Sequence, residues 1–508
     1  MREIFSKNNS KIFVVIASII TISLLFLYTR KATSFFDHGV YSFNDVTYLN
    51  DVVSNTIYLK KPFFVSQLNS QWLSKPVSVS HILLVPLYLL TDSQFIIVFL
   101  PILSLILSLV IFGILVYQTL RKNNISELTS RLISIILPLS LLSNSYFESV
   151  IFSAHPEVYI TLSITLLCFL ILNGISKKVV IPILLITLGL RIDVAVYTII
   201  CLFMLLLIKP LVTQENRLYK QNIYKYLFIC LFYFIIAYSF LFDSENLTNE
   251  LGQYGKGPLS IIYGVLTSPG LVIEKIKTSA FWEFNQSFFF FHLIFSPLLW
   301  LLKSISGMVL FLSNDLGKTL LWDYQSSFLT PGLYLCFISG INNLCKLKSK
   351  IENFVPIDYF LPIIYLTFSL TLIFFAGERN LDLIFKNFDF HKENINVTIA
   401  KNAIKLFESK CPNEKKFATD PQISPFLRLS YEKVLINNFE RANIAISFGD
   451  INPRQGNSLK APNSMWETKE YDLDKDRLKD SPLFEKVFVS DKLNTYVRKG
   501  TGCLKNFK

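Results

Sequence analysis

The feature that most constrains this chain is a succession of apolar runs separated by short polar stops, many of them carrying lysine or arginine. The first run, 12–28, follows Arg2, Lys7 and Lys11. Others occupy 94–120, 128–144, 158–173, 179–190, 194–208, 224–242, 287–302, 305–313, 328–341 and 356–376. A helix crossing the hydrocarbon core needs about 20 apolar residues, and shorter ones serve inside a bundle. With 52% hydrophobic residues and a mean hydropathy of +0.44, the expectation is a membrane protein, not a soluble enzyme. The fold class expected is mainly α, a polytopic helical membrane bundle of about eleven spans.

The basic residues give this bundle a direction. Arg121-Lys122 with Arg131, Lys177-Lys178, the lysines of 209–225, Lys303 and those of 346–350 read as cytoplasmic turns. The small-residue stretch Ala32-Thr33-Ser34 follows the basic pair Arg30-Lys31, so the first run reads as an uncleaved signal-anchor with a cytoplasmic N-terminus. The same parity places 30–80, 145–157, 191–193, 243–286 and 314–325 outside. The net charge of +12 is spread over these clusters and forms no single patch, which argues against nucleic acid as a partner. Within 30–80, segments 44–58 and 63–73 have enough amphipathic character to lie along the interface, and 80–90 reads as an interfacial or re-entrant helix.

From about Arg379 the composition turns polar. Short apolar stretches at 416–419, 434–437, 443–447, 486–490 and 494–498 read as strands, with helical patterns at 396–408 and 424–430. Two domains follow: 1–378 in the membrane, with an external first loop 30–80, and 379–508 as a small extracytoplasmic α/β domain. Five cysteines lie in or beside apolar runs as packing residues. Cys411 and Cys503 lie in the polar domain, where a disulfide and two free thiols are nearly equal readings.

Several charged or polar residues stand where chemistry could occur. Asp37 heads the first external loop, at the membrane edge, and Asp45 and Asp51 share that loop. His155-Pro156-Glu157 opens a span from outside; proline and an acid suit a helix start, whereas the histidine is free to serve a phosphate or hydroxyl. Arg191-Ile192-Asp193 interrupts an apolar stretch, where an ionised residue costs about 2.5–3.5 kcal/mol at a span centre. As a hairpin apex the two can pair with each other, or Arg191 can bind a lipid phosphate. His81, Lys256 and Tyr324 are further candidate substrate contacts on the same side, with plain turns an equal reading for the segments of Lys256 and Tyr324. The five scattered histidines offer no zinc spacing, and nucleotide-loop and nucleophile-elbow motifs are absent. No cofactor is identified, and support for a divalent metal is thin.

The order of Phe36-Asp37-His38-Gly39-Val40-Tyr41, Pro86-Leu87-Tyr88, His155-Pro156-Glu157 and Arg191-Ile192-Asp193 resembles that of a family of bacterial and archaeal multi-pass proteins. That family is related to the GT-C-type glycosyltransferases, which use lipid-linked sugars. Its pattern has F-D-x-G-x-[FY] after the first span, then a histidine, H-P-E at a span start and a K-E-D-like triplet. Here His81 sits closer to Pro86 than that spacing suggests, Ile192 replaces the middle acid and Arg191 the lysine. The resemblance implies a transferase with Asp37 as catalytic base and a polyprenyl-phosphate-sugar donor. The acceptor would be a glycan, lipid or protein, and membrane lipids would surround the site. A transporter or flippase of a lipid-linked or anionic substrate is the rival, and a non-catalytic membrane-anchored assembly protein is the third reading.

Overall fold

The computed structural model describes residues 2–37, 95–142, 157–211, 216–241, 251–288, 294–351, 395–448 and 475–507, apart from a few positions inside them. Scattered positions within 52–88 and 144–150 are described as well. The protein is mainly helical, with a two-stranded ribbon and a five-stranded mixed sheet. In chain order, α1 (Arg2–Asp37) precedes β1 (Phe64–Val65), β2 (Ser70–Gln71) and the short α2 (Val85–Tyr88). Then come α3 (Phe95–Lys122), α4 (Glu127–Leu142), α5 (Val158–Leu172), α6 (Lys177–Leu188), α7 (Val194–Leu207) and α8 (Asn216–Leu241). Helices α9 (Pro258–Thr267), α10 (Pro269–Thr278), α11 (Phe281–Gln286), α12 (Pro297–Phe311) and α13 (Leu316–Thr319) lead to a 3-10 turn at Gln325–Phe328 and to α14 (Thr330–Ile351). Two compact units result. One comprises Met1–Thr29, Pro76–Ser80 and Pro101–Phe385; the other comprises Arg30–Lys75, His81–Leu100 and Lys386–Lys508.

In the helical unit the sequence stops and restarts helices by one repeated device. Asn123-Asn124-Ile125-Ser126 joins α3 to α4, and Asn173-Gly174-Ile175-Ser176 joins α5 to α6. Asn124 and Gly174 adopt left-handed φ values of 59° and 65°, the conformation that ends a helix and that Asn and Gly tolerate best. In each turn the Ile N–H reaches back five residues, Ile125 to Leu120 O and Ile175 to Leu170 O. Each leading Asn side chain donates to a carbonyl of its own last turn, and each Ser hydroxyl accepts an amide of the next helix. These turns, with Arg121, Lys122, Lys177 and Lys178 beside them, make one end of the unit strongly basic.

Among the described residues, two helices, Val15–Thr33 and Val98–Lys122, are long and apolar enough to cross a membrane; Val158–Leu172, Val194–Leu207 and Pro297–Phe311 are apolar but shorter. α1 turns Val15, Ile19, Ile22 and Phe26 outward, each more than half exposed. The expectation of about eleven spans goes beyond these elements, and the run 356–376 lies outside the described residues.

Three expectations require correction, and a fourth gains detail. Lys303 does not mark a turn between two spans. It sits inside the single helix α12, only 2% exposed, because 297–311 carries one unbroken helical pattern in which a lone lysine can point inward. Segment 63–73, expected to lie along the interface, contains an antiparallel ribbon, Phe64 opposite Gln71. The loop 243–286 holds three helices, two of them opened by Pro258 and Pro269 at first-turn positions where the missing N–H costs nothing. The described residues of 424–430 form no regular helix.

In the second unit, α15 (Ile395–Lys410) precedes β3 (Lys416–Thr419), β4 (Glu432–Leu435), β5 (Ile444–Phe448), β6 (Phe484–Ser490) and β7 (Leu493–Arg498). The sheet order is β4-β3-β5-β7-β6, with β3 parallel to both neighbours and β7 antiparallel to both of its own. The alternation of strand side chains builds two cores. Phe417, Ile444, Ile446 and Val497 face Ala400, Ala403, Ile404 and Phe407 of α15, while Ala418, Ala445 and Tyr496 face Phe439, Leu478 and Phe484. Cys411, just after α15, is disulfide-bonded to Cys503 with 4.9 Å between their Cα atoms. The bond ties the end of α15 to the last turn of the chain. Closing a loop with a sequence separation of 92 contributes roughly 4–5 kcal/mol on a chain-entropy basis. Cys168, Cys201, Cys230, Cys336 and Cys345 are buried free thiols. Alkylation of the denatured full chain should therefore label five cysteines without reductant and seven with it, by intact mass. Seven without reductant would remove the disulfide.

Candidate functional site

Two helices of the helical unit begin on a carboxylate, and one arginine joins them. Glu157 is the N-cap of α5 and Asp193 the N-cap of α7; α6 runs back between them, so both starts lie at the end opposite the basic turns. The positive end of a helix dipole favours an acid there. Neither carboxylate bonds the amides of its own first turn. Instead Arg191 donates through Nη1 to Glu157 Oε1, and its Nε lies 3.0 Å from Asp193 Oδ1. The Glu157 side chain is wholly buried, that of Arg191 is 20% exposed and that of Asp193 34%. An uncompensated carboxylate at such a place costs several kcal/mol, so the burial of Glu157 depends on the guanidinium. The pairing expected within 191–193 is present, and Glu157 joins it as the buried member.

The apex that carries this clamp is held from outside the hairpin. Ser80 donates its amide to Gly189 O at 2.9 Å and its hydroxyl to Ile186 O at 2.6 Å. Gly189 permits the approach: a Cβ there would stand 2.4 Å from Ser80 Oγ. On the other side, Thr161 Oγ1 donates to Ser327 O at 3.2 Å, and the Tyr197 and Phe328 rings pack at 4.6 Å, which seats the 3-10 turn beside the starts of α5 and α7. Ser326 donates to Tyr146 O at 2.5 Å, and Asn144 Nδ2 reaches Ser287 Oγ at 3.0 Å. Buried Gln325 Oε1 and Ser327 Oγ have no hydrogen-bond partner. The end of α12 belongs here too, since Gln253 donates to Leu312 O at 2.8 Å and accepts from Asn314.

A second polar centre lies deeper, and sequence reading missed it. Lys303 Nζ donates to Asn285 Oδ1 at 2.9 Å, Trp300 Nε1 donates to the same oxygen at 3.0 Å, and the Phe284 ring lies 4.9 Å from the ammonium. Gly332 faces the Lys303 stem, its would-be Cβ 3.2 Å from Lys303 Cγ. The available signal was the 15-residue pattern of 297–311, which puts Trp300 and Lys303 one turn apart on one face.

Of the residues singled out from sequence, the structure joins Glu157, Arg191 and Asp193. Lys256 is exposed, two positions after Tyr254, whose ring is buried with Leu251, Ile261 and Leu312. Burial raises the Tyr254 phenol above its ordinary range, partly countered by a hydrogen bond with Gln253. Asp37 is the last residue of α1. His81, His155, Tyr324, Asp45 and Asp51 lie outside the described residues, as does Ile192. No group of three metal-ligating side chains occurs among the described residues.

No known protein family matches the chain, and no curated protein matches it. The resemblance to lipid-sugar transferases therefore rests on the quoted motifs alone.

Two outcomes test the clamp. Arg191→Ala should lower unfolding stability in detergent by about 3–5 kcal/mol, while Glu157→Gln with Arg191→Met should restore part of that loss. Single-variant costs that add within about 0.5 kcal/mol in the double variant would show that the two are not coupled. Gly189→Ala should displace Ser80 and cost about 1–3 kcal/mol, the range for overpacking a tight contact. Ser80→Gly in the Gly189→Ala background should recover most of it, and no recovery would place the strain elsewhere.

Proposed function

We propose that this protein is an integral membrane glycosyltransferase that moves a sugar from a polyprenyl-phosphate-linked donor to an acceptor at the outer face of the cytoplasmic membrane. The observation that carries the reading is the Glu157–Arg191–Asp193 clamp at the end of the bundle opposite the lysines. Arg121, Lys122, Lys177 and Lys178 at the other end favour a cytoplasmic position for it, so the clamp faces outward. Helix length sets its depth. α6 has 12 residues and spans about 18 Å, whereas the hydrocarbon core is about 30 Å thick. With Lys177 and Lys178 at the inner interface, the apex stops roughly 10 Å short of the outer one. Ionised residues at that depth are costly and mark substrate paths more often than packing. An arginine at that depth suits the phosphate of a lipid carrier, whose chain stays in the bilayer, once neighbouring cations offset the two carboxylates.

In this reading Asp37 takes the proton of the acceptor hydroxyl, and Arg191, oriented by Glu157 and Asp193, stabilises the departing lipid phosphate. The Cys411–Cys503 disulfide supports an oxidising, extracytoplasmic side for the C-terminal domain. Transport of an anionic lipid-linked substrate is the second reading. Lys303 favours it, as a cation buried within an apolar helix.

The reconstituted protein, given a polyprenyl-phosphate-sugar and an acceptor pool, should lose transfer by at least about a hundredfold on Asp37→Asn, with unchanged thermal unfolding. Full transfer by that folded variant would sink the role of Asp37. Lipid-linked sugar crossing the vesicle wall without any transfer, and stopping with Lys303→Met, would establish transport instead.

A further inference from the structure

At the basic end of the helical unit, α6 and α8 enclose an open groove of about 930 Å³. Its lining is graded along the helices. α8 contributes the stripe Gln221, Tyr224, Lys225, Phe228 and Ile229, the i, i+3, i+4, i+7, i+8 pattern of one face. α6 contributes Lys177 and Lys178 and, one turn on, Ile181 and Pro182. Both helices run away from the basic end, and on each the apolar side chains Ile181 and Phe228 follow the last lysine by three residues, about 5 Å further along. Tyr224 and Phe228 are 57% and 69% exposed. Among the described residues, no acidic side chain lines the groove.

The charges here are poorly placed for the helix itself. Lys177 and Lys178 occupy the first turn of α6, which contains no acid, and a cation at a helix N-terminus opposes the dipole. An anion at the level of the lysines relieves both that and their mutual repulsion. A free anion would leave the apolar stripe bare, whereas a phosphate attached to hydrocarbon covers both levels at once. Basic pockets between membrane helices on the cytoplasmic side hold lipid headgroups by this combination.

We propose that this groove is a binding site for an anionic glycerophospholipid of the inner leaflet, its phosphate on Lys177, Lys178 and Lys225 and an acyl chain along Ile181, Pro182 and Phe228. The inference rests on the membrane orientation proposed above. It does not depend on the reaction, and it concerns the end of the bundle opposite the clamp.

The test uses the full chain in bilayers of phosphatidylglycerol and phosphatidylcholine, extracted in mild detergent and weighed by native mass spectrometry. Wild type should retain phosphatidylglycerol at least tenfold over phosphatidylcholine, and Lys177→Gln/Lys178→Gln/Lys225→Gln should reduce that preference to near parity. Equal retention of the two lipids by wild type, or an unchanged preference in the folded triple variant, would overturn the site. If the triple variant does not fold, Lys225→Gln alone decides, with at least a threefold loss of preference expected and no loss overturning the site. Displacement of the bound lipid by millimolar inorganic phosphate would show that the anion alone is recognised and would also overturn it. Extraction of the membrane-bound chain by alkaline carbonate would instead refute the orientation on which the inference stands.

Discussion

The helical unit depends on the neutralisation of one buried carboxylate. Glu157 begins α5 with its side chain shut away from solvent, and Arg191 is the cation on it. Through the same guanidinium Asp193 begins α7, so two helix starts are fixed by one side chain. The dipoles of both helices favour the two acids, but a dipole contributes only about 0.3–1 kcal/mol at an exposed end, much less than the burial of a charge costs. The ion pair is therefore what makes this end possible. The contacts from Ser80 and from the 325–328 turn then fix the hairpin that delivers Arg191.

The other end of the same helices is built from cheaper parts. Its turns need a left-handed residue, a serine cap and carbonyl hydrogen bonds, all of which are local in sequence. Long-range hydrogen bonds tie these turns together, Asn123 to Asn342 and Asn173 to Gln118, and the lysines beside them remain exposed at 177 and 178. The turns themselves are thus specified by neighbours in the chain, whereas the clamp needs partners 34 residues apart in the chain, as Glu157 and Arg191 are.

This contrast explains what could be read in advance. The strands of the C-terminal unit are short apolar stretches bounded by polar turns, so Lys416–Thr419 and its neighbours were recognisable as β3 to β7. The break at 189–193 was visible because charge interrupts an apolar run, and the pairing of Arg191 with Asp193 was one of the two readings it allowed. Glu157 was expected to orient Arg191 or His155 only through the reaction that the resemblance implies, since nothing local connects it to Arg191. Lys303 misled for the opposite reason. A lone lysine between apolar stretches is the ordinary mark of a turn, and only the tertiary presence of Asn285 and Phe284 makes an interior position tolerable. Polar residues that solve a burial problem by long-range contact leave no periodic trace.

The charge balance of the clamp also limits what it can do alone. One guanidinium faces two carboxylates, so the three side chains carry net negative charge and the field there repels a phosphate at a distance. Attraction over the last several ångströms has to come from other positive groups at that end. Lys256 qualifies by position, exposed in the segment that Gln253 and Tyr254 anchor to the end of α12. His155 lies two residues before Glu157, where a protonated imidazole would cancel the remaining negative charge, and Lys256 with it would turn the balance positive. A phosphate-binding role for Arg191 thus requires such a partner, whereas its role in fixing α5 and α7 requires none. The clamp is the scaffold of this end first, and its chemistry is conditional on the cations around it.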